Sequence, residues 1–316
     1  MKLLQPWLLA AACASLAPLT AQCADTLKIV VPFAAGGPVD ALARTISTNL
    51  GTALGKTVII DNRGGAGGTI GAAAVAKAAP DGNTVLLGSS GFVMSAATVP
   101  NLSYDPRKDL EPVVMIGEVQ SLLVARKNLE VANVADLIAK GKAGMKVSFG
   151  SAGVGSTMHI GAELINVSSG TKFVHVPYRG AGPALTDLMA GTIDILNADV
   201  PVLAPYVRDG RIKALVIYDT QRSPKLPEVP TNVEAGVPQL QMTNWYGIFV
   251  PAGTPQAART QLEAALLATV NGPEVAAKLA DSGMSKPMNS AAFRTRLNAD
   301  FERWVPFLKK AGIRSE

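Results

Sequence analysis

Leu27-Lys28-Ile29-Val30-Val31-Pro32-Phe33-Ala34-Ala35-Gly36-Gly37-Pro38 reads as a short apolar strand over 27–32 that runs straight into a glycine-bearing turn. A helix over about 39–54 follows, because Leu42, Ile46 and Leu50 recur at helical spacing and Asp40 falls in the first turn. The same grammar then repeats. A strand over 58–61 leads into Arg63-Gly64-Gly65-Ala66-Gly67-Gly68 and a small-residue helix to about 78. Pro80-Asp81-Gly82 is a turn, and a strand over 84–88 ends in Ser89-Ser90-Gly91. Past 145 the pattern restarts. A strand over 146–149 enters Gly150-Ser151-Ala152-Gly153-Val154-Gly155-Ser156 and a helix to about 165. Strands over 173–176, 192–196 and 212–218 follow, with a helix reaching 188 between the first two.

Strand, glycine-rich turn and helix at the head of each half predict an α/β protein of two mixed-sheet domains, with helices on both faces of each sheet. In such sheets ligands bind beyond the carboxyl ends of the strands, where these turns lie. The last third holds an apolar strand over 245–250 and then helix, with Leu262, Leu266, Val270, Phe293, Leu297, Phe301, Trp304 and Leu308 as its buried stripe. This segment is expected to return to the first domain. The expected division is 25–121 with 246–316 as one domain and 122–245 as the other, hinged on crossover strands near 121–125 and 244–250.

A chain of 316 residues is long enough for two cores. With 48% hydrophobic and 17% charged residues it is globular rather than disordered. The net charge of +5 is spread along the chain with no basic run, which argues against nucleic acid. A mild positive field still attracts anionic solutes. Lys2, an apolar stretch over 3–19 and the small residues Ala21, Cys23 and Ala24 read as a signal peptide over 1–24, cut between 21 and 25. That marks the mature protein for export. Cys13 and Cys23, the two cysteines, belong to or border this leader, so no disulfide is expected. No later stretch reaches the roughly 18 uninterrupted apolar residues that spanning a bilayer takes.

Enzyme signatures fail on spacing. With His159 and His175 as the two histidines, no zinc motif forms, and no metal or cofactor is expected. Gly51-Thr52-Ala53-Leu54-Gly55-Lys56-Thr57 is one spacer short of a P-loop and precedes a strand instead of following one. Ser89, Ser90, Ser151 and Ser156 sit at strand ends, and His159 lies one turn beyond Ser156. That pair is the local candidate for a nucleophile and base. What remains is backbone suited to anions. Glycines admit close approach, and helix N-termini offer unpaired N–H groups and partial positive charge. Gly36, Gly37 and Asp40 mark one such end, and Gly155, Ser156 and Met158 a second. Ala66, Gly67 and Gly68 add a third turn.

At these residues the sequence resembles the periplasmic solute-binding receptors of tripartite tricarboxylate transporters, the Bug family. The resemblance rests on ordered motifs across nearly the whole chain after the leader. They include Val31-Pro32-Phe33 with Gly36-Gly37 and Asp40, Asn62-Arg63 before Gly65-Ala66-Gly67-Gly68, Gly150-Ser151-Ala152-Gly153 with Gly155-Ser156 and His159, Val176-Pro177-Tyr178, Trp245-Tyr246-Gly247 and Pro251-Ala252-Gly253-Thr254-Pro255. The resemblance implies a type II periplasmic-binding-protein fold that closes like a Venus flytrap. The implied ligand is a small carboxylate: a di- or tricarboxylate, an aromatic carboxylate or an acidic amino acid. The first loop, from Phe33 through Ala35 to Gly37, holds one carboxylate, with Ala66, Gly67 and Gly68 and the turn Ser151, Ala152, Val154 and Ser156 supplying further contacts. Tyr178 belongs to the same motif set. The implied partner is a two-component membrane permease, served by a monomeric receptor. A ligand-sensing receptor for a signalling partner and an exported serine hydrolase are the alternatives.

Three departures from the family pattern bear on ligand identity. Ala34-Ala35 stand where prolines are frequent, Val154 stands at a polar position, and Leu196-Asn197-Ala198-Asp199 replaces a Phe-Asp-Asn-like segment. Asp199 either faces the cleft, to meet an ammonium or hydroxyl, or caps a helix before Pro201.

Overall fold

The computed structural model describes residues 25–314, so the leader expected over 1–24 lies outside the described residues. The first unit forms as its sequence dictates. β1 (Thr26–Val31) is flanked by β2 (Thr57–Asn62) and β3 (Thr84–Ser89), both parallel to it. Its C-terminal half is therefore covered on both faces. Between β1 and β2 runs α1 (Pro38–Leu54), with proline in its first turn and Gly55 closing it at φ 66°. Leu42, Ile46 and Leu50 face the core. A single 3-10 turn, Ala66–Gly68, leads into α2 (Thr69–Ala76), and α3 (Gly91–Thr98) follows β3.

The second unit is built on β4 (Leu110–Arg126), a 17-residue strand. After it come α4 (Val134–Lys142), β5 (Ser148–Ser151), α5 (Thr157–Ser169), β6 (Val174–Pro177), α6 (Ala181–Ala190), β7 (Ile195–Asp199), α7 (Val200–Arg208) and β8 (Ile212–Ile217). The chain then returns through β9 (Thr243–Pro251) to α8 (Gln256–Asn271), α9 (Pro273–Asp281) and α10 (Ser290–Lys310). β9 lies between β3 and β4, antiparallel to both. α8 packs on α1, and α10 packs on α3 and β4. The stripe expected in the last third is buried throughout.

The strand order is β2-β1-β3-β9-β4-β7-β5-β6, with β8 also on β4. β4 is the continuous element. It pairs with β9 as far as Gln120↔Thr243 and with β7 from Ser121↔Asp199 onward. One strand therefore leaves the first sheet and founds the second within a single residue step. Register shifts near Pro112 and Gly117 bend it on the way.

The structure differs from the sequence-based expectation in a few elements. α3, α4 and α7 were not expected. α7 carries Pro205 on its exposed side, while Val200, Leu203 and Ala204 hold the helix to the core. β4 begins eleven residues before the expected crossover at 121. β7 is displaced toward its C-terminus, from 192–196 to Ile195–Asp199. The cause is Asp194, which accepts from Ser148 N (2.8 Å) and Arg126 Nε (2.9 Å) and fixes the start of the strand. The polar residues Asn197 and Asp199 are thereby drawn into a fully buried strand.

Gly247 of β9 lies under the Phe293 ring, 2.4 Å from the position its Cβ would occupy. Phe293 is itself wedged against Trp245 and Phe249. Gly247→Ala is expected to overpack this core and lower stability by about 1–3 kcal/mol. Urea unfolding measures this, and an unchanged midpoint would show that the ring can yield.

Candidate functional site

The loop after β1 is shaped by Asp40. Its carboxylate accepts from Gly36 N at 2.9 Å, from Arg44 Nε at 2.9 Å and from Asn62 Nδ2 at 3.1 Å. Asn62 also donates to the Phe33 carbonyl at 3.2 Å. Gly36 supplies the φ of 81° that the turn requires. The Arg44 guanidinium holds the Asp40 carboxyl below the usual carboxylate range. Asp40 therefore braces the loop, and it lines none of the cavities beside it. Its effect is to aim the first turn of α1 across the gap between the sheets.

The second sheet aims three helices at the same gap. Ser156 caps α5: its Oγ accepts from His159 N (3.3 Å) and donates to the Gly153 carbonyl (2.6 Å). Gly180 precedes α6, and Asp199 precedes α7. First-turn residues of α1 (Pro38, Val39), α5 (Thr157, Met158) and α6 (Ala181) line one chamber of about 30 Å³ together with Phe33, Gly37, Ser89, Ala152, Ser156 and Asp199. First-turn amides have no partner within their helix, and each helix end carries partial positive charge. No lysine or arginine lines this chamber among the described residues. Gly37, Pro38, Ala181, Asp199 and Tyr246 are shared with a wider groove of about 680 Å³, which also takes in Ala35 and Gly36.

Asp199 is the charged group of the chamber. It occupies the N-cap position of α7 but makes no capping hydrogen bond. Its carboxylate turns to β9 instead. Asn244 Nδ2 donates to both oxygens at 3.0 and 3.2 Å, and the Tyr246 hydroxyl donates to Oδ2. Asn244 is held in turn by Ser90, whose Oγ donates to its Oδ1 at 2.9 Å. Burial without a cation pushes the Asp199 carboxyl up to about 6, although Tyr246 and Asn244 pull the other way. The Tyr246 hydroxyl is pushed well above its ordinary value by burial and by Asp199. Asn244 and Tyr246 escaped the sequence reading. Their signal is two polar side chains two residues apart, hence on one face of a strand, in an otherwise apolar run.

The two halves touch beside the chamber. Ala34 N donates to the Arg179 carbonyl at 3.3 Å. A Cβ on Gly67 would stand 1.9 Å from the Val154 carbonyl oxygen, and one on Gly153 would stand 2.7 Å from Gly67 N. The two halves are thus in direct backbone contact here. Gly67 and Gly68 lie behind Phe33 on a small void. Ala66, Val154 and Tyr178 line a separate outer groove of about 900 Å³. The Tyr178 hydroxyl donates to Asp187 Oδ2 at 2.6 Å, and burial and this carboxylate push it up to about 12.

Ser90, Ser151, Gly155 and His159 lie under the chamber wall and do not line it. His159 Nδ1 accepts from Gly155 N at 3.3 Å, and burial, with His175 beside it, pushes the ring down to about 3. The Ser156 hydroxyl bonds the Gly153 carbonyl and not this ring, so the candidate nucleophile and base are not hydrogen-bonded to each other. The contact the sequence did not suggest is Ser151 Oγ with His175 Nε2, at 2.6 Å. Ser151 is wholly buried and does not line the chamber. Burial pushes His175 down to about 4.

Two mixed sheets that share the strand β4, with helix ends meeting over a cleft, define a solute-binding protein of the two-lobed type. The chain belongs to the tripartite tricarboxylate transporter receptor family, whose model matches residues 42–313. It is 32% identical to the protein BugT of Bordetella pertussis over 296 residues, 92% of this chain and 90% of BugT. MatC of Rhodopseudomonas palustris, solved with bound malate, superposes with a TM-score of 0.86 at 34% identity, covering 89% of this chain and 98% of MatC. An R. palustris protein solved with adipate superposes at 0.85 with 33% identity, covering 91% of this chain and 97% of its own. No helix among the described residues is long and apolar enough to cross a membrane.

The raised Asp199 carboxyl has a signed consequence. The folded protein holds this proton more tightly than the unfolded chain, so the group favours folding most below about pH 4 and loses that contribution as pH rises through about 6. Asp199→Asn removes the titration. In ligand-free protein the variant should gain on the parent between about pH 4 and pH 7, by on the order of 2 kcal/mol. Urea unfolding at both ends of that range tests this; a difference independent of pH would show an unperturbed carboxyl.

Proposed function

We propose that this chain is a periplasmic receptor that captures a small carboxylate between its lobes and delivers it to a two-component permease of the tripartite tricarboxylate type. The carrying observation is the chamber that first-turn residues of α1, α5 and α6 line together, with no basic side chain among them. Such ends stabilise a carboxylate through hydrogen bonds and dipole together. The malate and adipate in related receptors support the ligand class. Phe33, Gly37, Ser89, Ala152, Ser156 and Asp199 are the sequence-predicted residues positioned to touch such a ligand.

In this reading, residues 25–121 with 246–316 form one lobe and 122–245 the other. They rotate about β4 and β9, and ligand shifts the population toward the closed form. The leader is removed on export, and the receptor works as a monomer.

A thermal-shift screen of mono-, di- and tricarboxylates and acidic amino acids should yield a ligand. Saturation at 100 Kd would add about 2.7 kcal/mol of stability, and a panel without any shift would refute the reading. Gly67→Ala tests closure separately. Because its Cβ would collide with the Val154 carbonyl only when the lobes meet, affinity should fall at least ~10-fold, about 1.4 kcal/mol. The cost to unfolding stability should stay near the ~1–2 kcal/mol of a left-handed alanine. Wild-type affinity in this variant would show that the lobes need not touch there.

A further inference from the structure

Asp199 is a buried carboxylate on the chamber wall, and among the described residues no lysine or arginine lines that chamber or pairs with it. It lines both the inner chamber and the wider groove; the lysine of that groove, Lys278, is paired with Glu274 at 2.8 Å. The groups that bond it, Asn244 and Tyr246, are neutral donors. Their hydrogens are already committed, since Asn244 Nδ2 also donates to the Tyr246 hydroxyl at 3.0 Å while that hydroxyl donates to Asp199. A carboxylate has about four lone-pair sites, and three contacts reach Asp199. Acceptor capacity therefore remains and donor capacity does not. The orientation of Asn244 is fixed too, because its oxygen accepts from Ser90 Oγ and Ser90 N. The N-terminus of α7 offers Asp199 a fraction of a charge, not a counter-ion. Buried charges in proteins are otherwise paired.

We propose that Asp199 receives a cationic group of the ligand, so that the receptor selects an amino-carboxylate: its carboxylate on the helix amides and its ammonium on Asp199. The inference rests on the carboxylate reading above and narrows it. The closeness of the two poles supports it. Thr157, Met158 and Ala181 share one small chamber with Asp199, and in an α-amino acid a single carbon separates the two charges. A hydroxyl in the same place would leave the negative charge of Asp199 unbalanced. A second carboxylate would place like charges together in a dry site, which is unfavourable.

Calorimetric titration of the full mature chain with matched pairs tests this: L-glutamate against glutarate, L-aspartate against succinate, and L-alanine against propionate. Members of a pair differ only in the amino group. In at least one pair the amino form should bind on the order of 10- to 100-fold more tightly, as expected for a charge-assisted contact. Asp199→Asn, which is isosteric, should erase most of that preference while its circular dichroism stays that of the parent. Desamino acids that bind as tightly as or more tightly than their amino partners would overturn the proposal and leave the carboxylate reading intact. An amino preference that survives in Asp199→Asn would equally overturn it, because another group would then be reading the ammonium. Failure of both members of every pair, and of the wider carboxylate panel, would remove the carboxylate reading and this inference with it.

Discussion

The antiparallel pairing of β4 with β9 is the constraint on which the rest of this molecule depends. From Leu110↔Pro251 to Gln120↔Thr243 the two strands share one sheet, and one residue later β4 is paired with β7 of the next. Because the same strand serves both sheets, the carboxyl ends of β1 and β3 on one side face those of β5 and β7 on the other. Each of those strand ends feeds a turn, and most of the turns feed a helix. Helix N-termini therefore meet across the junction as a consequence of topology. Asn244 and Tyr246, on β9, and Asp199, at the end of β7, meet at the same place.

That topology explains how the proposed anion site can do without basic side chains. A buried arginine or lysine without its partner is expensive to desolvate, and a receptor must be stable when empty. First-turn amides avoid the difficulty, because they are unpaired in every helix and water can satisfy them in an empty site. Their charge is partial and fixed by the backbone. Glycine is needed where the lobes meet backbone to backbone. At Gly67, which has φ 65° and lies against the Val154 carbonyl, any side chain would hold the lobes apart.

Much of this was legible in the sequence because local rules and global fold agree there. Leu42, Ile46 and Leu50 mark α1 by spacing, and the same is true of the stripe from Leu262 to Leu308, which does return to the first sheet. The turns at Gly36-Gly37, Ala66-Gly67-Gly68 and Gly153–Ser156 announce themselves by composition. Which of their residues face the chamber was not legible. Ser151 and His159 fall in the right motif but turn inward, toward His175 and Gly155 N, and the direction of a side chain under a turn depends on tertiary packing. Ala66 and Val154 line the outer groove. The reach of β4 was hidden because its pairing partners are distant in sequence, and Pro112 and Gly117 argue locally against a long strand. β7 was hidden by Asn197 and Asp199, whose polarity reads as loop until Asn244 is seen beside them.

Asp40 and Asp199 show how far residue type alone falls short. Both are buried aspartates at the start of a helix, and each helix end favours a negative charge. Around Asp40 the chain supplies Arg44 one turn on, the Gly36 amide and Asn62, and the carboxyl is held low. Around Asp199 it supplies neutral donors, and burial wins. The first aspartate is fully satisfied, lines neither the chamber nor the groove beside it, and braces the loop after β1. The second lines the cavity with acceptor capacity to spare. Their sequence contexts differ in one decisive respect: an arginine at i+4 from Asp40, against a tyrosine and an asparagine some 45 residues from Asp199. A buried carboxylate that the fold leaves without a counter-ion is the group through which this cleft can ask its guest for one.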